Sequence, residues 1–419
     1  MTYKEALEMV SSRRKFPKKP GLERMKHLLD LIGNPQNKLK FVHVAGTNGK
    51  GTTCSYISSV LQESGYKTGL FTSPFVIDFT ERFQINSQMI DHEQLIKHVD
   101  YVSSFDLGEI TEFEFVTAIA MDWFAKQNCD IVVLEVGLGG RFDATNVIEN
   151  PLVSVITSIS LDHTKILGDT VEQIAFEKAG IIKENCPTVC YLNQKDSVIK
   201  VIEETCKTKN SKFHLADMYF DILEENINGS KFKTEELEIF IPFCGNHQIY
   251  NAITAYETIK ILKKQNYNIT NENIVKGFRK TKIPARMEVI SENPLFILDG
   301  GHNIGGAIAL ESVLKKYLDN KKICGIIGMV EDKDYPDYVK VLAPKFDKII
   351  CLEPNDKRAL KAEVLAGFAR KHCDDVKVLP NACEAIDMAL KEYENIVACG
   401  SLYLASELRP IITCKLKNL

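Results

Sequence analysis

The sequence predicts an α/β protein of two domains, and three observations support this fold class. Apolar segments of the length of buried strands recur along the chain, with helical patterns between them. A glycine-rich turn joins the first of these strands to a helix. The pattern restarts after a short polar linker, and 419 residues are too many for one ordinary core. We therefore expect an N-terminal domain with a mostly parallel sheet and a smaller, doubly wound α/β C-terminal domain.

The strands of the first domain are predicted from buried apolar runs, which are typical of a parallel sheet covered on both faces. These runs lie at 41–45, 68–72, 130–136, 151–159 and 187–192. Helical patterns between them include Phe113 to Phe124 and Val171 to Ile182. Residues 212–241 are polar and alternating, which predicts a few antiparallel strands. A helix is expected from His247 to Lys263, followed by a polar stretch from Lys264 to Asn273.

The segment from Lys280 to Pro284 is interpreted as a linker, so the predicted domains are 1–283 and 284–419. After the linker, strand and helix patterns alternate again. The strand-like runs are 295–299, 323–328, 347–352 and 395–399, and the helices are expected near 303–318, 335–343, 359–371 and 383–393.

Composition excludes several classes of protein. Hydrophobic residues make up 45% and charged residues 26%, as in soluble globular proteins, and the net charge of −4 argues against a general nucleic-acid binder. No apolar run approaches the length of a membrane span, and the N-terminus lacks the apolar core of a signal peptide. The 12 cysteines include no C-x-x-C pair, which indicates reduced thiols in a cytoplasmic protein.

The glycine-rich turn runs from Val44 to Thr53 and predicts a phosphate-binding loop (P-loop). Backbone N–H groups and the helix N-terminus favour an anion, and Lys50 can reach the outer phosphates. The match to the usual motif is imperfect, since Val44 stands in place of glycine and Gly51 precedes the hydroxyl residue Thr52. The alternative is a glycine-rich turn with a solvated Lys50.

Glu135 ends a second apolar run that leads into another glycine-rich turn. A carboxylate at the C-terminal end of a parallel strand lies where α/β sheets bind ligands. Burying a lone charge there is costly, so Glu135 should meet a cation, and Mg²⁺ beside a phosphate loop is the expected one. The alternative is an ion pair with Arg141.

Three further side chains in the first domain have a chemical and a structural interpretation. His163 follows the run 151–159 and is a metal ligand, a base or a hydrogen-bonded structural histidine. The hydroxyl of Ser73, before Pro74, could ligate Mg²⁺ or belong to an ordinary turn. Composition alone favours Lys178 as a solvated lysine at a helix end.

In the second domain, Asp299 to Asn303 again marks a strand end that leads into a helix. Arg286 follows the linker and could supply fixed, planar charge to a phosphate. The alternative is a surface arginine.

Several of these segments together resemble the folylpolyglutamate synthase and dihydrofolate synthase branch of the Mur ligase superfamily. The resemblance runs nearly end to end, and the order and spacing of the motifs carry it. They are KPGLERM at 19–25, HVAGTNGKGT at 43–52, TSPF at 72–75 with Glu81-Arg82, EVGLGGRFDATN at 135–146, LDH at 161–163, LG at 167–168, EKAGI at 177–181, NHQIYNA at 246–252, ARMEV at 285–289 and DGGHN at 299–303.

The resemblance implies ATP at the interface of two domains, with Mg²⁺ at two sites. Its implied ATP contacts are Asn48, Gly49, Lys50, Gly51, Thr52, Asn251, Arg286 and Asp299. Ser73 and Glu135 would hold one Mg²⁺ and His163 would help hold the second. Lys178 would be carbamylated and support this metal. The implied catalytic residues are Lys50, Lys178 and His302.

The resemblance also implies a pterin substrate, with contacts at Thr111, Phe113, Asp143 and Ala144. Two positions depart from the family: Thr52 stands where serine is usual, and Phe75 stands where a histidine is common.

The implied reaction joins L-glutamate to a folate, and to dihydropteroate in bifunctional members, through an acyl phosphate formed with ATP. We expect a cytoplasmic monomer that binds neither nucleic acid nor membrane. One alternative is a UDP-muramoyl-peptide ligase, which would need an additional domain where only about forty residues precede the loop strand. A second is a P-loop kinase or nucleotide-binding regulator.

Overall fold

The structure is a computed structural model that describes residues 1–106, 108–216 and 219–417. The chain forms two compact units. The first comprises Met1–Asp221, Lys233–Phe240 and Tyr250–Thr281, and the second comprises Ile222–Phe232, Ile241–Ile249 and Lys282–Leu419. The sequence-based division at residue 284 assigns the two short segments of the second unit to the first. The alternating polar and apolar residues of these two segments do not indicate which of the two cores the segments join.

The first unit is built on an eight-stranded sheet with the strand order β4-β3-β2-β5-β1-β6-β7-β8. The strands are β1 Phe41–Ala45, β2 Thr68–Phe71, β3 Phe83–Ile85, β4 Gln88–Met89, β5 Ile131–Glu135, β6 Val153–Ile156, β7 Thr188–Cys190 and β8 Phe213–Leu215. All are parallel except β3, which pairs antiparallel with β2, and β4, which pairs antiparallel with β3. Every residue of β1 and β5 is buried, as expected for central strands. The predicted mostly parallel sheet is confirmed.

Ten helices accompany the strands of this part of the described chain. They are α1 Tyr3–Ser11, α2 Glu23–Leu31, α3 Lys50–Glu63, α4 His92–Ser103, α5 Glu112–Lys126, α6 Thr164–Leu167, α7 Val171–Ala179, α8 Asp196–Thr208, α9 Asn246–Lys264 and α10 Asn271–Lys280. Short 3-10 helices lie at Pro35–Lys38, Phe79–Arg82 and Ala144–Val147.

Helix α10 begins at Asn271, within the last three residues of the predicted polar stretch, and it ends at Lys280, the first residue of the predicted linker. Thr270 caps it, because the Thr270 hydroxyl accepts a hydrogen bond from the Asn273 amide at 3.1 Å. A hydroxyl residue followed three positions later by a polar residue is a capping pattern that marks the start of a helix. Here the neighbouring residues are polar as well, so the pattern does not stand out in the sequence.

The region 212–241 is only partly as predicted. Its first strand, β8, pairs parallel with β7 in the large sheet, so the prediction of antiparallel strands is wrong there. The strands β9 Asp221–Asn226, β10 Gly229–Lys233 and β11 Glu238–Ile241 form a separate three-stranded sheet in the order β11-β10-β9.

The second unit contains a six-stranded sheet in the order β12-β13-β17-β14-β15-β16, with only β12 antiparallel to its neighbour. The strands are β12 Glu288–Glu292, β13 Leu295–Leu298, β14 Ile323–Ile327, β15 Lys348–Cys351, β16 Val376–Val378 and β17 Asn395–Cys399. The helices are α11 Ile304–Tyr317, α12 Tyr335–Leu342, α13 Ala362–Ala369, α14 Ala382–Glu392 and α15 Leu402–Leu416, with a 3-10 helix at Ala343–Lys345. Strands β12 and β16 lie at the sheet edges and are only partly buried, which explains why no apolar run predicts them. No helix in the described residues is long and apolar enough to span a membrane.

Candidate active site

The glycine-rich loop connects β1 to α3. Gly46 follows β1 directly, and Gly49, with a left-handed φ of 83°, precedes Lys50 at the start of α3. The first amides of a helix have no acceptor within the helix. They therefore offer N–H donors and the positive end of the helix dipole to an anion, which is the environment predicted for a phosphate.

A hydroxyl-rich segment after β6 holds this loop in place. The amides of Thr47 and Asn48 donate to the Ser158 carbonyl oxygen at 2.7 and 3.3 Å. The Thr157 hydroxyl donates to the Asn48 carbonyl oxygen at 2.8 Å. A Cβ on Gly46 would lie 1.8 Å from Thr157 Oγ1, so only glycine permits this approach. The sequence reasoning missed these residues, although a run of hydroxyl side chains after a buried strand is a recognisable pattern.

Lys50 is not the solvated lysine of the alternative interpretation. Its side chain is only 16% exposed, and Nζ donates to the Thr47 carbonyl oxygen at 3.3 Å. Thr52 is buried in the first turn of α3. Gly51 lies beside the carboxylate of Glu135, because a Cβ there would be 3.5 Å from Oε2. The loop and the predicted metal ligand are thus neighbours.

Gly49→Ala is expected to weaken nucleotide binding by at least about ten-fold and to destabilise the fold by about 2 kcal/mol or more. Left-handed backbone costs a residue with a Cβ about 1–2 kcal/mol. The new Cβ would also lie 2.2 Å from Oδ1 of the buried Asn251, so the loop or Asn251 must move. Calorimetric titration with nucleotide and denaturant unfolding measure the two effects.

Gly33→Ala is the matched control. Gly33 has nearly the same φ, 84°, but no described atom lies within 4 Å of a Cβ built there. This variant should lose only the stability that a left-handed backbone costs a residue with a Cβ, and it should bind nucleotide like the wild type. Equal losses of affinity in the two variants would contradict a role for the contact between Gly49 and Asn251.

Glu135 ends β5 beside the loop and is almost fully buried. Its Oε2 accepts a hydrogen bond from the Ser73 backbone N–H at 3.0 Å, and Oε1 lies 4.0 Å from Lys50 Nζ. The alternative ion pair with Arg141 is wrong, because the Arg141 guanidinium pairs with Glu177 at 2.6 Å. The carboxylate therefore faces the phosphate loop, as predicted from its position at a strand end.

The donor set around Glu135 fits Mg²⁺ shared with a phosphate. Mg²⁺ commonly takes one or two carboxylates from the protein and fills its other positions with water and phosphate oxygens. Ser73 and Glu135 are adjacent, which suits this pattern. Among the described residues, no three His, Cys, Asp or Glu side chains cluster so as to hold a metal ion on their own.

His163 precedes α6 in a left-handed backbone conformation, with φ of 51°. Its amide donates to Asp162 Oδ1 at 2.8 Å, and its ring Nε2 lies 3.8 Å from the same oxygen. The side chain is 37% exposed, so the ring is accessible to a ligand as well as to its neighbour. This geometry is compatible with the predicted metal contact and with a structural histidine.

Lys178 is a buried lysine, so its interpretation as a solvated helix-end residue is wrong. The residue is 4% exposed, and Nζ donates to the Gly46 carbonyl oxygen at 2.7 Å. Burial and, to a smaller extent, the charge of Lys50 lower the pKa of Lys178 to about 7, against the opposing effect of Asp162 and Asp143. A substantial fraction of this amine is therefore neutral near pH 7.

Thr111 and Phe113 lie at the start of α5. The Thr111 hydroxyl accepts a hydrogen bond from the Glu114 amide at 3.2 Å and caps the helix. The ring of Phe113 lies against Gly137, in the turn that follows β5, because a Cβ on Gly137 would be 2.5 Å from it. Phe113 is thus brought to the glycine-rich turn after Glu135, whereas the Thr111 hydroxyl is occupied by capping.

Asp143 and Ala144 are buried on the far side of the same turn. The Asp143 carboxylate accepts hydrogen bonds from the amides of Leu138 at 2.9 Å and Thr145 at 3.0 Å. Burial raises the pKa of Asp143, and these hydrogen bonds lower it; the net direction is upward. The carboxylate therefore shapes the turn that connects β5 to the 3-10 helix at Ala144–Val147.

In the second unit, Asp299 organises the segment that contains Arg286. The buried Asp299 carboxylate accepts hydrogen bonds from the amides of Met287 at 3.0 Å and Gly301 at 2.8 Å. Arg286 is half-buried between Ala285 and Met287, which both adopt left-handed backbone (φ 53° and 51°). Such conformations are costly and concentrate at functional sites.

His302 lies on the same loop as Asp299. Its Nδ1 is 3.2 Å from the Gly300 carbonyl oxygen, and Asn303 caps α11 by accepting from the Gly306 amide at 2.9 Å. The second unit therefore brings its own predicted residues together. The first unit separately assembles Lys50, Thr52, Ser73, Glu135, Lys178 and Asn251 around its loop.

Two family models match this chain. The Mur ligase middle domain matches residues 44–259, and the Mur ligase, glutamate ligase domain matches residues 285–402. The chain is 37% identical to the dihydrofolate synthase/folylpolyglutamate synthase of Bacillus subtilis (strain 168), over 97% of this chain and 98% of that relative.

Solved structures match over nearly the whole chain as well. The Mycobacterium tuberculosis folylpolyglutamate synthase complexed with ADP and AMPPCP has a TM-score of 0.87 and 29% identity, and the match covers 98% of each chain. An FPGS–AMPPCP–folate complex has a TM-score of 0.84 and 33% identity, over 98% of this chain and all of the other.

Proposed function

This chain belongs to the Mur ligase family, in the branch of folylpolyglutamate and dihydrofolate synthases, and on that premise we propose how its residues join L-glutamate to a folate with ATP. One observation carries the assignment of roles. A buried lysine of depressed pKa, Lys178, contacts the phosphate loop at Gly46, and the buried Glu135 lies beside the same loop. A protein that only binds phosphate does not require this lysine, whereas a ligase that activates a carboxylate can use it as a carbamate.

The first step transfers the γ-phosphate of ATP to a folate carboxylate, which gives an acyl phosphate. The carboxylate and the triphosphate are both anionic, so the protein must offset their repulsion. Lys50, the amides of the loop and the N-terminus of α3 supply fixed positive potential for this purpose. In the second step the amine of L-glutamate attacks the acyl carbon and inorganic phosphate leaves.

Ser73 and Glu135 would hold one Mg²⁺, and His163 would help hold a second. A bound Mg²⁺ supplies charge neutralisation of phosphate oxygens. Glu135 is suited to this role because its carboxylate is buried and is oriented by the Ser73 amide. The hydroxyl of the buried Thr52, one position after Gly51, would complete the same environment.

Lys178 would act as a carbamate. The neutral amine attacks carbon dioxide, its nitrogen loses one proton, and an anionic carbamate forms. Burial and the charge of Lys50 favour the neutral amine that this reaction requires. The carbamate would then carry negative charge near Lys50, where a cation is expected.

Carbamylation should be visible by ¹³C NMR of the protein in ¹³C-bicarbonate. At fixed carbon dioxide pressure, the carbamate resonance should fall by at least about ten-fold from pH 8 to pH 6, because the amine with a pKa of about 7 becomes protonated. Lys178→Met should remove the resonance. Lys183→Met is the matched control, since Lys183 is half-buried, has a pKa lowered to about 8, chiefly by burial, and donates to a carbonyl oxygen. A resonance that persists in Lys178→Met would contradict the assignment.

Asn251, Arg286 and Asp299 would contact ATP, and His302 would steer the incoming amine or the phosphate. The role of Asp299 is supported by the hydrogen bond that its carboxylate accepts from the Met287 amide, because this bond orients the segment that contains Arg286. Arg286 has the fixed charge and planar fork that suit a phosphate. We assign residues 1–283 to an ATP-binding domain and 284–419 to the domain that completes the ATP and glutamate sites.

The pterin would lie near the turn after β5. Phe113 offers a half-buried aromatic ring there, and Asp143 and Ala144 form the adjacent wall. Thr111 would contribute through its backbone more than through its hydroxyl, which is engaged in capping. The relative from Bacillus subtilis carries both enzyme names, so we propose dihydropteroate as a second substrate beside tetrahydrofolate.

One assay tests the proposed function. The protein is incubated with Mg-ATP and L-glutamate and, in separate reactions, with tetrahydrofolate, dihydropteroate or a UDP-muramoyl peptide. We expect pterin-dependent release of phosphate and a product heavier by one glutamyl residue by mass spectrometry. Phosphate release with the muramoyl peptide alone would favour the cell-wall ligase, and turnover without any glutamate would favour a kinase. The monomeric state and the cytoplasmic location stay predictions.

A further inference from the structure

A cavity of about 380 Å³ lies in the first unit, away from the phosphate loop. Pro187 and Lys212, in its wall, directly precede the strands β7 and β8. Lys264 and Gln265, at the C-terminal end of α9, form the opposite wall. Because β1, β6, β7 and β8 are parallel, the cavity lies at the N-terminal edge of the sheet and the loop at the C-terminal edge.

Two lysines at this cavity lack a counter-charge. Neither Lys212 nor Lys264 forms an ion pair with any residue that the structure describes. The neighbouring lysines differ, since Lys209 pairs with Glu184 at 3.6 Å and Lys260 pairs with Glu257 at 3.0 Å. The cavity therefore has an excess of positive charge that the protein itself does not neutralise.

Lys212 and Lys264, both exposed, line the same cavity as His214. Burial lowers the pKa of His214, the carboxylate of Glu257 raises it, and Lys212, Lys264 and Lys260 each lower it. The net direction is downward, so the imidazole is neutral near pH 7 and one ring nitrogen carries a hydrogen-bond donor. Glu257, the acid that faces this ring at 3.9 Å, is already paired with Lys260.

The side chains around the cavity suit a phosphate group. Lysines act as point charges toward phosphate, and the amides of Asn185 and Gln265 add neutral donors. The lining contains no arginine, the residue that recognises a carboxylate through two parallel hydrogen bonds. Pro187 and Ile261 provide an apolar wall for the remainder of a small molecule. The volume lies within the range of small-ligand sites.

We propose that this cavity is a second anion site that binds a phosphate group, either free or as the monoester of a small metabolite. It is separate from the ligase chemistry, and its occupation does not require the glycine-rich loop. Lys212 and Lys264 supply the charge, and His214 with the neighbouring amides supplies the hydrogen bonds.

The test compares two double variants of the full chain by calorimetric titration at low ionic strength, where exposed charges are least screened. Lys212→Gln/Lys264→Gln removes the proposed site. Lys200→Gln/Lys276→Gln is the control, because it removes two exposed, ion-paired lysines of the same unit and changes the net charge equally. The probes are inorganic phosphate, glycerol 3-phosphate and citrate. The glycine-rich loop is intact in every protein, so phosphate bound there contributes equally.

We expect the wild type and the control to bind one more phosphate per chain than the site variant, whose affinity at this site should fall by about ten-fold or more. Tighter binding of glycerol 3-phosphate than of phosphate would identify a monoester, and equal binding would identify the free ion. Identical titrations of the wild type and the site variant would overturn the proposal. So would equal losses in both double variants, or binding of citrate without phosphate. Because the readout is binding, it does not depend on ligase activity.

Discussion

Glu135→Gln is expected to lower kcat by about 10³-fold while leaving the fold intact. The carboxylate is the buried negative charge beside the phosphate loop, and an amide of the same shape cannot neutralise Mg²⁺. Removal of one electrostatic contact of this kind commonly costs about 10²–10³ in rate. The hydrogen bond from the Ser73 amide can still be made to the glutamine oxygen, so the local structure should persist. Steady-state kinetics across a Mg²⁺ titration measure the effect.

Glu63→Gln provides the matched control for this experiment. Glu63 is a partly buried glutamate that, like Glu135, lies near a lysine, and it pairs with Lys280 at 2.8 Å. It lies at the other end of α3, about 20 Å from Lys50 at 1.5 Å of rise per residue. The control should keep wild-type kcat and Mg²⁺ dependence. If Glu135→Gln kept the wild-type Mg²⁺ requirement and rate, Glu135 would not be a metal ligand.

Lys178→Ala is expected to reduce turnover by about 10²–10³-fold, with partial rescue by a small carboxylate. The substitution removes the anionic carbamate that we propose and leaves a space beside the Gly46 carbonyl group. Acetate or propionate can enter that space and restore a negative charge, which a purely structural lysine would not require. Turnover measured against acetate concentration, at constant ionic strength, checks this prediction.

Lys183→Ala separates the chemical role from the loss of a half-buried lysine that is hydrogen-bonded to a backbone carbonyl group. Lys183 donates to the Asn146 carbonyl oxygen at 3.0 Å and also has a lowered pKa. Its removal should cost stability without acetate-dependent recovery of turnover. Wild-type activity in Lys178→Ala, or equal rescue of both variants by acetate, would contradict the carbamate role.

The loop and Glu135 are the parts of the site that the sequence predicts most directly. Strand β1 consists of buried apolar residues, Gly49 is the residue that a left-handed turn needs, and Lys50 begins the helix. These features are local, because each depends on residues within a few positions. Glu135 follows from the same logic, since the C-terminal ends of parallel strands share one edge of a sheet.

Lys178 shows where local reasoning fails. A lysine in the last turn of a helix has the same local pattern whether it is solvated or buried. Its burial results from packing against a loop 132 residues earlier in the chain, which brings Nζ to the Gly46 carbonyl oxygen. Arg141 shows the same limit, since the sequence suggests Glu135 as its alternative partner and the structure pairs it with Glu177.

The strands with mixed residues show the same limit in the fold. Strand β8 joins the large sheet in parallel with β7, although its polar, alternating neighbourhood favours an antiparallel hairpin. Edge strands such as β12 and β16 are partly exposed, so their residues carry no continuous apolar pattern. Pairing between strands distant in the chain depends on the surface that the rest of the sheet offers.

By itself, the sequence determined the α/β class, the phosphate loop, the carboxylate at the end of β5 and, through the order of its motifs, the ligase family. The tertiary structure decided which polar groups meet: the buried Lys178 contacts Gly46, Arg141 pairs with Glu177, and Thr157 and Ser158 bond to the loop. The physical reason is that periodicity and turn chemistry act over a few residues, whereas desolvation and hydrogen bonding act between segments that only the folded chain brings together.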